Sequence, residues 1–299
     1  MNLDSARSCL IGTALGDSLG LVFEGMKAGR IAKFKPLPLR QRFAFGRGVL
    51  SDDTLQSMFV AIAVLRHPNS PELAAQEFSK MLRAWFLTLP PGIGLSTAKA
   101  CLKLCFGSRE SGVHSAGNGA AMRAAVIGSL AAPDQRDAFV EAISRVTHTD
   151  PLAILGAKIV AYAATVTPDE FDKSLFPAWD FELPIPSDGP TGYVVHTVNA
   201  ALNIWRNHPN DIEKAIEETI LLGGDTDSVA AIVGGLIGAK TDLSKTNPDL
   251  LNWMGWPQPS EIMSLSEQAK APFGRIWLTH AVSLPIIVGY GFRRLLLPY

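Results

Sequence analysis

The chain has 299 residues, of which 47% are hydrophobic and 18% charged, with 27 basic and 28 acidic side chains. This composition is typical of a soluble globular protein and excludes disordered and collagen-like chains. A net charge of -1 gives no broad electrostatic footprint for nucleic acid or an anionic membrane, so we expect function to reside in a local site.

The beginning of the chain carries an uncharged run, 8–16, that could imitate a signal peptide. Asp4 and Arg7 precede this run, Asp17 follows it, and no small-residue cleavage pattern comes after it. The cysteines are few and odd in number, which is typical of reduced intracellular thiols. They are Cys9, Cys101 and Cys105. We therefore expect a soluble, cytoplasmic protein without a membrane span.

Most patterned segments have helical periodicity. Ser70 and Pro71 predict the start of an amphipathic helix, because serine caps helices and proline suits their first position. Similar spacing recurs around 139–146 and 212–220. Further apolar helices are predicted near 4–23, 52–66, 119–131, 151–165, 192–206 and 228–239. Since no stretch alternates like a strand, the prediction is an all-α, compact multi-helix orthogonal bundle.

The segment 168–190 contains five prolines and interrupts the helical pattern. It is an excursion or a domain boundary. We favour an excursion within one domain spanning 1–299, because the chemically interesting residues on its two sides are expected to form one site. The C-terminal part, 241–299, is predicted to be helical and matches no motif.

Two acidic clusters directly precede apolar helices. One is Ser51-Asp52-Asp53-Thr54 and the other is Gly223-Gly224-Asp225-Thr226-Asp227-Ser228. Each alone is an ordinary helix start, since serine and aspartate cap helices and acidic residues suit the positive end of the helix dipole. Two glycines before Asp225 permit an unusual backbone path, however, and an extended Asp-x-Asp points both carboxylates the same way.

If both clusters face one pocket, four carboxylates and two serine hydroxyls line it. Like charges about 5 Å apart repel by roughly 3 kcal/mol per pair at an effective dielectric near 20, so a cation is needed to keep them ionised. Two divalent ions would cancel the four charges. Hard oxygen donors without His or Cys favour Mg²⁺ or Mn²⁺, in a dinuclear metal cleft.

A third feature is the sequence Ser115-Ala116-Gly117-Asn118-Gly119, which precedes the predicted helix 119–131. Glycines let a ligand approach the backbone, and amides at a helix start attract phosphate. The same sequence is also ordinary turn chemistry. A fourth feature is Glu24, which follows Gly16-Asp17-Ser18-Leu19-Gly20. A lone glutamate is usually solvated, but a carboxylate beside a metal-bound water suits glycoside hydrolysis.

In this order, the motifs resemble those of the ADP-ribosylglycohydrolase family, which includes the dinitrogenase reductase-activating glycohydrolase and the ADP-ribosylarginine and ADP-ribosylserine hydrolases. The resemblance runs from about residue 8 to about residue 240. It is carried by 12–20, 51–54, 117–123, Thr147-His148, Gly192-Tyr193-Val194 and 223–228. It implies an all-α fold and a metal-dependent hydrolase that cleaves the C1″ bond between the distal ribose of ADP-ribose and a modified side chain or small molecule.

The resemblance also implies roles for individual residues. The metal ligands would be Ser51, Asp52, Asp53, Asp225, Asp227 and Ser228. Glu24, Asp52 and Asp53 would be catalytic, with Glu24 handling the proton. The loop with Ser115, Gly117, Asn118 and Gly119 would hold the diphosphate. His148 and Tyr193 would line the ADP-ribose cleft, although core packing explains both equally well.

The leaving group remains open. An ADP-ribosylarginine or guanidine substrate is favoured, and an O-linked serine or acetyl conjugate is the alternative. A family member that binds ADP-ribose without hydrolysing it, or a metal-dependent phosphohydrolase, would also account for the motifs. The expected partner is an ADP-ribosylated protein or small molecule, and we expect a monomer.

Overall fold

The computed structural model describes residues 2–90, 92–243, 246–266, 268–269, 271 and 273–296. The predicted domain of 1–299 includes Met1 and residues 297–299, which lie outside the described residues. Within the described chain the helices are α1 Leu3–Gly20, α2 Ala28–Lys33, α3 Asp52–Arg66, α4 Pro71–Phe86, α5 Leu95–Cys105, α6 Ala125–Leu130, α7 Arg136–Arg145, α8 Pro151–Ala163, α9 Val194–Asn207, α10 Ile212–Leu222, α11 Thr226–Gly238, α12 Pro248–Asn252, α13 Pro259–Met263 and α14 Phe273–Leu296. The prediction of a mainly helical fold is confirmed.

Helices α1 and α11 form the centre of the fold and approach each other unusually closely. A Cβ atom added at Gly12 would lie 2.0 Å from the carbonyl oxygen of Gly234, and one at Gly16 would lie 2.0 Å from that of Ala230. Only glycine permits this backbone contact, because any larger residue would push the helices apart. The contact places the end of α1 beside the acidic start of α11.

The starts of several helices follow from local sequence. Ser70 accepts a hydrogen bond from the backbone N–H of Leu73 (3.3 Å), and Pro71 opens α4. One face of α4 then packs into the core with Phe78, Leu82 and Trp85 fully buried. The predicted ranges 52–66 and 151–165 are likewise close to the helices α3 and α8.

The predicted helix 119–131 is wrong in its first half. A short 3₁₀ turn, Asn118–Ala120, is followed by turns, and the α-helix begins only at Ala125. The guanidinium of Arg123 is buried here and donates to the carbonyl oxygen of Gly119 (2.6 Å). This side-chain bond occupies a carbonyl that a regular helix would use for its own backbone.

Two very short strands, β1 Met26–Lys27 and β2 Gly223–Gly224, pair antiparallel. Sequence alternation does not reveal strands of two residues. Gly223 and Gly224 have φ values of +78° and +74°, which L-residues with side chains rarely adopt. The pairing ties the chain after Glu24 to the chain before Asp225.

The proline-rich segment 168–190 leaves the helical pattern as predicted and packs onto the helices. It contains 3₁₀ turns at Pro168–Glu170 and Lys173–Leu175. Trp179 is buried, and its indole N–H donates to Asn199 of α9 (2.9 Å). The segment thus packs against α9 through the buried side chain of Trp179.

The C-terminal part contains α12, α13 and the long α14. Among the described residues of α14, Trp277, Leu278 and Val282 are exposed, while Ile276 is buried. No described helix combines the length and the hydropathy that a membrane span requires.

Candidate active site

The start of α3 is fixed by its own cap and by α1. The hydroxyl of Ser51 accepts the backbone N–H of Asp53 (3.1 Å) and lies 3.0 Å from the Asp53 carboxylate. One carboxylate oxygen of Asp17 in α1 accepts from the Ser51 N–H (2.9 Å) and from both the N–H and the hydroxyl of Thr54 (3.3 and 2.5 Å). Asp17 therefore orients the turn that carries Asp52 and Asp53.

Asp17 is a positioning residue that the sequence analysis did not select. Its side chain is fully buried, and its second carboxylate oxygen has no described hydrogen-bond partner. The residues that donate hydrogen bonds to it, Ser51 and Thr54, lie more than 30 positions further along the chain. Only its place in the motif 12–20, next to the glycines of the α1–α11 contact, could have indicated its importance.

The start of α11 is built differently. Asp225 occupies the position before the helix and makes no capping bond with its side chain there. Its carboxylate instead accepts from the side-chain amide of Asn118 (2.7 Å), which also donates to the hydroxyl of Thr197 (3.0 Å). The Ser228 hydroxyl lies 3.4 Å from the Asp53 carboxylate, so the two helix starts meet.

Both helix starts open into one cavity of about 290 Å³. The predicted site residues that line it are Glu24, Asp52, Asp53, Gly117, Asn118, Gly119, His148, Asp225, Asp227 and Ser228. Among the described residues, Ser51, Ser115 and Tyr193 do not line it. Gly92 and Gly94, from another loop, also line the cavity.

The three predicted residues outside the lining have local contacts. Ser51 caps α3 as described. The Ser115 hydroxyl accepts from the Ser96 hydroxyl (2.8 Å) and from the N–H of Gly117 (3.3 Å), which shapes the 115–119 loop. Tyr193 precedes α9, is 36% exposed, and lies edge-on to the His196 ring.

Desolvation raises the pKa of four carboxyl groups at this site, those of Asp17, Asp52, Asp53 and Asp227. The pKa of Asp52 is raised to about 7 by desolvation and by the charges of Asp17 and Glu24. Desolvation raises the pKa of Asp17 to about 6 against the hydrogen bonds that it accepts. The pKa values of Asp53 and Asp227 are raised strongly, by desolvation first and then by neighbouring carboxylates. The pocket therefore favours protons or a bound cation.

A buried arginine stands behind this cluster. Arg123 donates to the side-chain oxygen of Gln56 (2.7 Å), and the amide of Gln56 donates to the carboxylate of Asp52 (2.8 Å). The guanidinium also donates to the Thr147 hydroxyl (2.5 Å) and lies 4.9 Å from the centre of the Phe78 ring. Arg123 thus holds Asp52 through Gln56, a chain of contacts that the sequence does not reveal.

His148 lies at the back of the cavity and is 2% exposed. Burial first, and then the charge of Arg123, lowers its pKa to about 3, so the ring is neutral at physiological pH. A Cβ atom at Gly119 would lie 2.8 Å from this ring. The glycine is therefore needed for the loop to pass over the histidine.

The donor set fits hard divalent cations. Asp53 and Asp227 each have a buried carboxylate oxygen without a described hydrogen-bond partner. Such atoms are costly unless a cation or water binds them. Within the described chain, no three Asp, Glu, His or Cys side chains form a ready-made metal cluster. A cation at this site would therefore be held by single carboxylates from the two helix starts, with serine hydroxyls and water completing its shell.

A family model described as ADP-ribosylglycohydrolase matches residues 2–270. The chain belongs to the ADP-ribosylglycohydrolase family. Members of this family are glycohydrolases that remove ADP-ribose from modified substrates. The match confirms the resemblance that the motifs indicate and includes both acidic helix starts.

Individual relatives agree with this assignment. An uncharacterized protein of Archaeoglobus fulgidus is 31% identical over 270 residues, covering 78% of this chain and 87% of the relative. The ADP-ribosyl-[dinitrogen reductase] glycohydrolase of Rhodospirillum rubrum is 24% identical and covers 79% and 85%. An ADP-ribosylarginine hydrolase of Pseudomonas putida is 24% identical and covers 90% and 79%.

A solved structure titled ADP-ribosylglycohydrolase-related protein complex has the same fold. It superposes with a TM-score of 0.64 at 21% identity, covering 94% of this chain and 98% of the other. The similarity in fold therefore covers nearly the whole of this chain.

Proposed function

We propose that this ADP-ribosylglycohydrolase hydrolyses the bond between C1″ of the distal ribose and the guanidine nitrogen of an ADP-ribosylated arginine or small guanidine compound. The proposal rests on one observation: residues of both acidic helix starts and of the 117–119 loop line the same cavity. Its volume, about 290 Å³, is at the lower end of small-molecule sites.

Two observations support an arginine-type substrate. Carboxylates line the cavity, and no described lysine or arginine does, so a positively charged guanidinium would be attracted there. In addition, the Pseudomonas putida relative is named an ADP-ribosylarginine hydrolase.

Two Mg²⁺ or Mn²⁺ ions would be held by the oxygen donors of the two helix starts. At the start of α3 these donors are Ser51, Asp52 and Asp53. At the start of α11 they are Asp225, Asp227 and Ser228. When bound, the ions would orient the hydroxyls of the distal ribose and make a water molecule more acidic. Asp17 and Asn118 position one helix start each through the hydrogen bonds described above.

Glu24, which lines the cavity, is the proton donor and acceptor in this mechanism. Its neighbour Gly25 donates from the backbone to the carbonyl oxygen of Gly224 (2.8 Å), so Glu24 and Asp225 lie at the same end of the short antiparallel pairing of β1 with β2. As water adds to C1″ and the C–N bond breaks, the departing guanidine nitrogen needs a proton. Glu24 donates it and then accepts the proton that the water loses.

Positive charge develops on the distal ribose as the bond breaks. The carboxylates of Asp52 and Asp53, which line the same cavity, stabilise this oxocarbenium-like charge. The rest of ADP-ribose would lie along Gly117, Asn118 and Gly119. Ser115 supports that loop, and His148 and Tyr193 contact the ligand beyond it.

The test is a release assay on arginine-, guanidine- and serine-linked ADP-ribose, with Mg²⁺ and after its removal by EDTA. We expect intact ADP-ribose, identified by mass spectrometry, from the arginine and guanidine conjugates only when the cation is present. Release from the serine conjugate alone would replace the arginine assignment with the O-linked one. AMP as the product would indicate a phosphohydrolase, and tight binding of ADP-ribose without any release would indicate an inactive binding protein.

A further inference from the structure

The segment 25–50, which joins Glu24 to Ser51, has a charge unlike the rest of the chain. It carries seven of the 27 basic residues and none of the 28 acidic ones. The remainder of the chain therefore has 20 basic against 28 acidic side chains. The seven are Lys27, Arg30, Lys33, Lys35, Arg40, Arg42 and Arg47. The near-neutral total conceals this basic segment.

The basic segment is attached to the active site at both ends. At its beginning, Met26 and Lys27 pair with Gly224 and Gly223, directly before Asp225. At its end it leads into Ser51. Both ends of the segment therefore adjoin residues of the candidate active site.

The segment is folded rather than a loose run of charge. Arg42 donates to the backbone oxygens of Lys35 (3.0 Å) and Pro36 (2.6 Å). The side-chain amide of Gln41 donates to the hydroxyl of Ser18 (2.9 Å) and to the backbone oxygen of Leu250 (3.1 Å). These contacts fix the backbone that presents the other basic side chains.

Three of the basic side chains point to solvent without an ionic partner. Lys33, Lys35 and Arg40 are exposed, and none of them forms an ion pair with a carboxylate in the described part of the chain. In the same segment, the ring of Phe45 is 99% exposed. Exposed aromatic residues and arginines are enriched at protein recognition surfaces.

We propose that the segment 25–50 is the docking surface for an acidic protein, and that this protein is the ADP-ribosylated substrate, whose modified side chain is flanked by acidic residues. The identity of the docked protein as substrate rests on the proposed function. Opposite charge would speed the encounter and place the modified side chain over the adjoining cavity. A long nucleic acid fits less well, because its uniform negative charge would extend beyond this segment over a remainder with an excess of acidic residues, whereas the acidic residues of a protein can be confined to the docked patch.

The decisive variant is Lys33→Gln/Lys35→Gln/Arg40→Gln. A matched control, Lys80→Gln/Arg83→Gln/Arg206→Gln, removes the same charge from exposed positions on α4 and α9. The substrates are two ADP-ribosylated arginine peptides of equal length, one flanked by glutamates and one by lysines, and a small ADP-ribosylated guanidine. For the glutamate-flanked peptide at low salt, we expect kcat/KM to fall about tenfold in the segment variant and to stay unchanged in the control.

Salt and charge reversal sharpen the result. The difference in kcat/KM between the segment variant and wild type should shrink at about 0.5 M salt, because screening then limits electrostatic attraction to a few ångströms. The reversal Lys33→Glu/Lys35→Glu/Arg40→Glu should make the enzyme prefer the lysine-flanked peptide. The small guanidine conjugate should react equally with all variants. An equal loss on that compound would contradict the proposal, because the segment would then bind the nucleotide itself.

A binding measurement separates this proposal from the proposed function. Fluorescence anisotropy with an unmodified, labelled glutamate-rich peptide needs no catalysis. Binding that is lost in the segment variant supports the surface even if no ADP-ribose conjugate is hydrolysed, in which case only the proposed function fails. Hydrolysis without any such binding refutes the surface alone. Tighter binding of a single-stranded oligonucleotide than of the peptide would also refute it.

Discussion

The two acidic helix starts have similar sequences but are held in different ways. The start of α3 is fixed by its own cap, in which Ser51 accepts the N–H of Asp53, and by Asp17 beneath it. The start of α11 follows two glycines of positive φ, and the carboxylate of Asp225 is bound by Asn118 from a distant loop. We call the start of α3 the local half of the site, because it has its own cap in addition to the contact with α1, and the start of α11 the fold-dependent half, because it has no such cap.

The two helix starts share one property in spite of this difference. Each buries an aspartate, Asp53 or Asp227, with one carboxylate oxygen that lacks a described hydrogen-bond partner. The local half and the fold-dependent half should thus be equally necessary for cation binding, yet differ in how mutations disturb them.

The largest effect is expected from the buried aspartates. Asp53→Ala and Asp227→Ala should each lower ADP-ribose release by about 10³-fold or more, because either change removes a proposed cation ligand from one helix start. The assay is release from an ADP-ribosylated arginine peptide, with Mn²⁺ affinity measured by calorimetry. If one variant keeps wild-type turnover, its helix start does not belong to the site.

Glu24 tests the chemistry between the two helix starts. Glu24→Gln should keep cation and ADP-ribose binding but lower kcat by about 10²-fold, since the amide cannot donate and accept the proton in turn. The exposed Glu72 of α4 provides the matched control, Glu72→Gln, which should be active. Full activity of Glu24→Gln would remove Glu24 from the mechanism.

Asn118 tests the fold-dependent half. Asn118→Ala removes the bond to Asp225 and should weaken cation affinity and lower kcat/KM about tenfold, whereas the exposed control Asn203→Ala should change neither. The affinity readout distinguishes positioning from a general loss of structure, which circular dichroism would report. Unchanged affinity would show that Asp225 needs no such support.

The two serines test capping in the cation-free protein. Ser51→Ala should lower the free energy of unfolding by about 1 kcal/mol, because the N–H of Asp53 loses its acceptor. Ser228→Ala should cost less, because its hydroxyl makes only a 3.4 Å contact with Asp53. Denaturant unfolding in EDTA measures both. Equal losses would mean that the two helix starts are capped alike.

The smallest expected effect concerns pH. The folded-state pKa values of Asp17 and Asp52, about 6 and 7, exceed those of unfolded aspartate. The folded protein therefore binds more protons, and these two groups make its free energy of unfolding fall as pH rises from about 4 to 7. In EDTA, Asp52→Asn should flatten this dependence and be more stable than wild type at pH 8 by on the order of 1 kcal/mol. The same slope in both proteins would contradict the stated cause.

The sequence predicts the local features well. The range 52–66 agrees with α3 because its cap and its apolar run are consecutive residues. The helix 119–131 was mispredicted because Arg123 binds Gln56 and Thr147, which only the fold brings near. The glycine contact between α1 and α11 likewise joins residues more than 200 positions apart.

The same reason limits the prediction of the site. The acidic motifs bring Asp52, Asp53, Asp225, Asp227 and Ser228 to the cavity lining, since each motif is a short run at a helix start. Asp17 and Gln56 carry no local sign of their contacts with the site. Ser115 and Tyr193 belong to motifs but lie off the lining, because adjacent residues in a loop point in different directions. The basic segment is hidden by the near-neutral total charge.

The most direct test is a crystal structure of the protein grown with Mn²⁺, with anomalous diffraction recorded at the manganese edge. The account predicts two anomalous peaks between the starts of α3 and α11, with carboxylate oxygens of Asp53 and Asp227 about 2.0–2.3 Å from manganese. The same crystals of Asp227→Asn should lose at least one peak. Manganese bound elsewhere, or no peak between the two helix starts, would contradict the account.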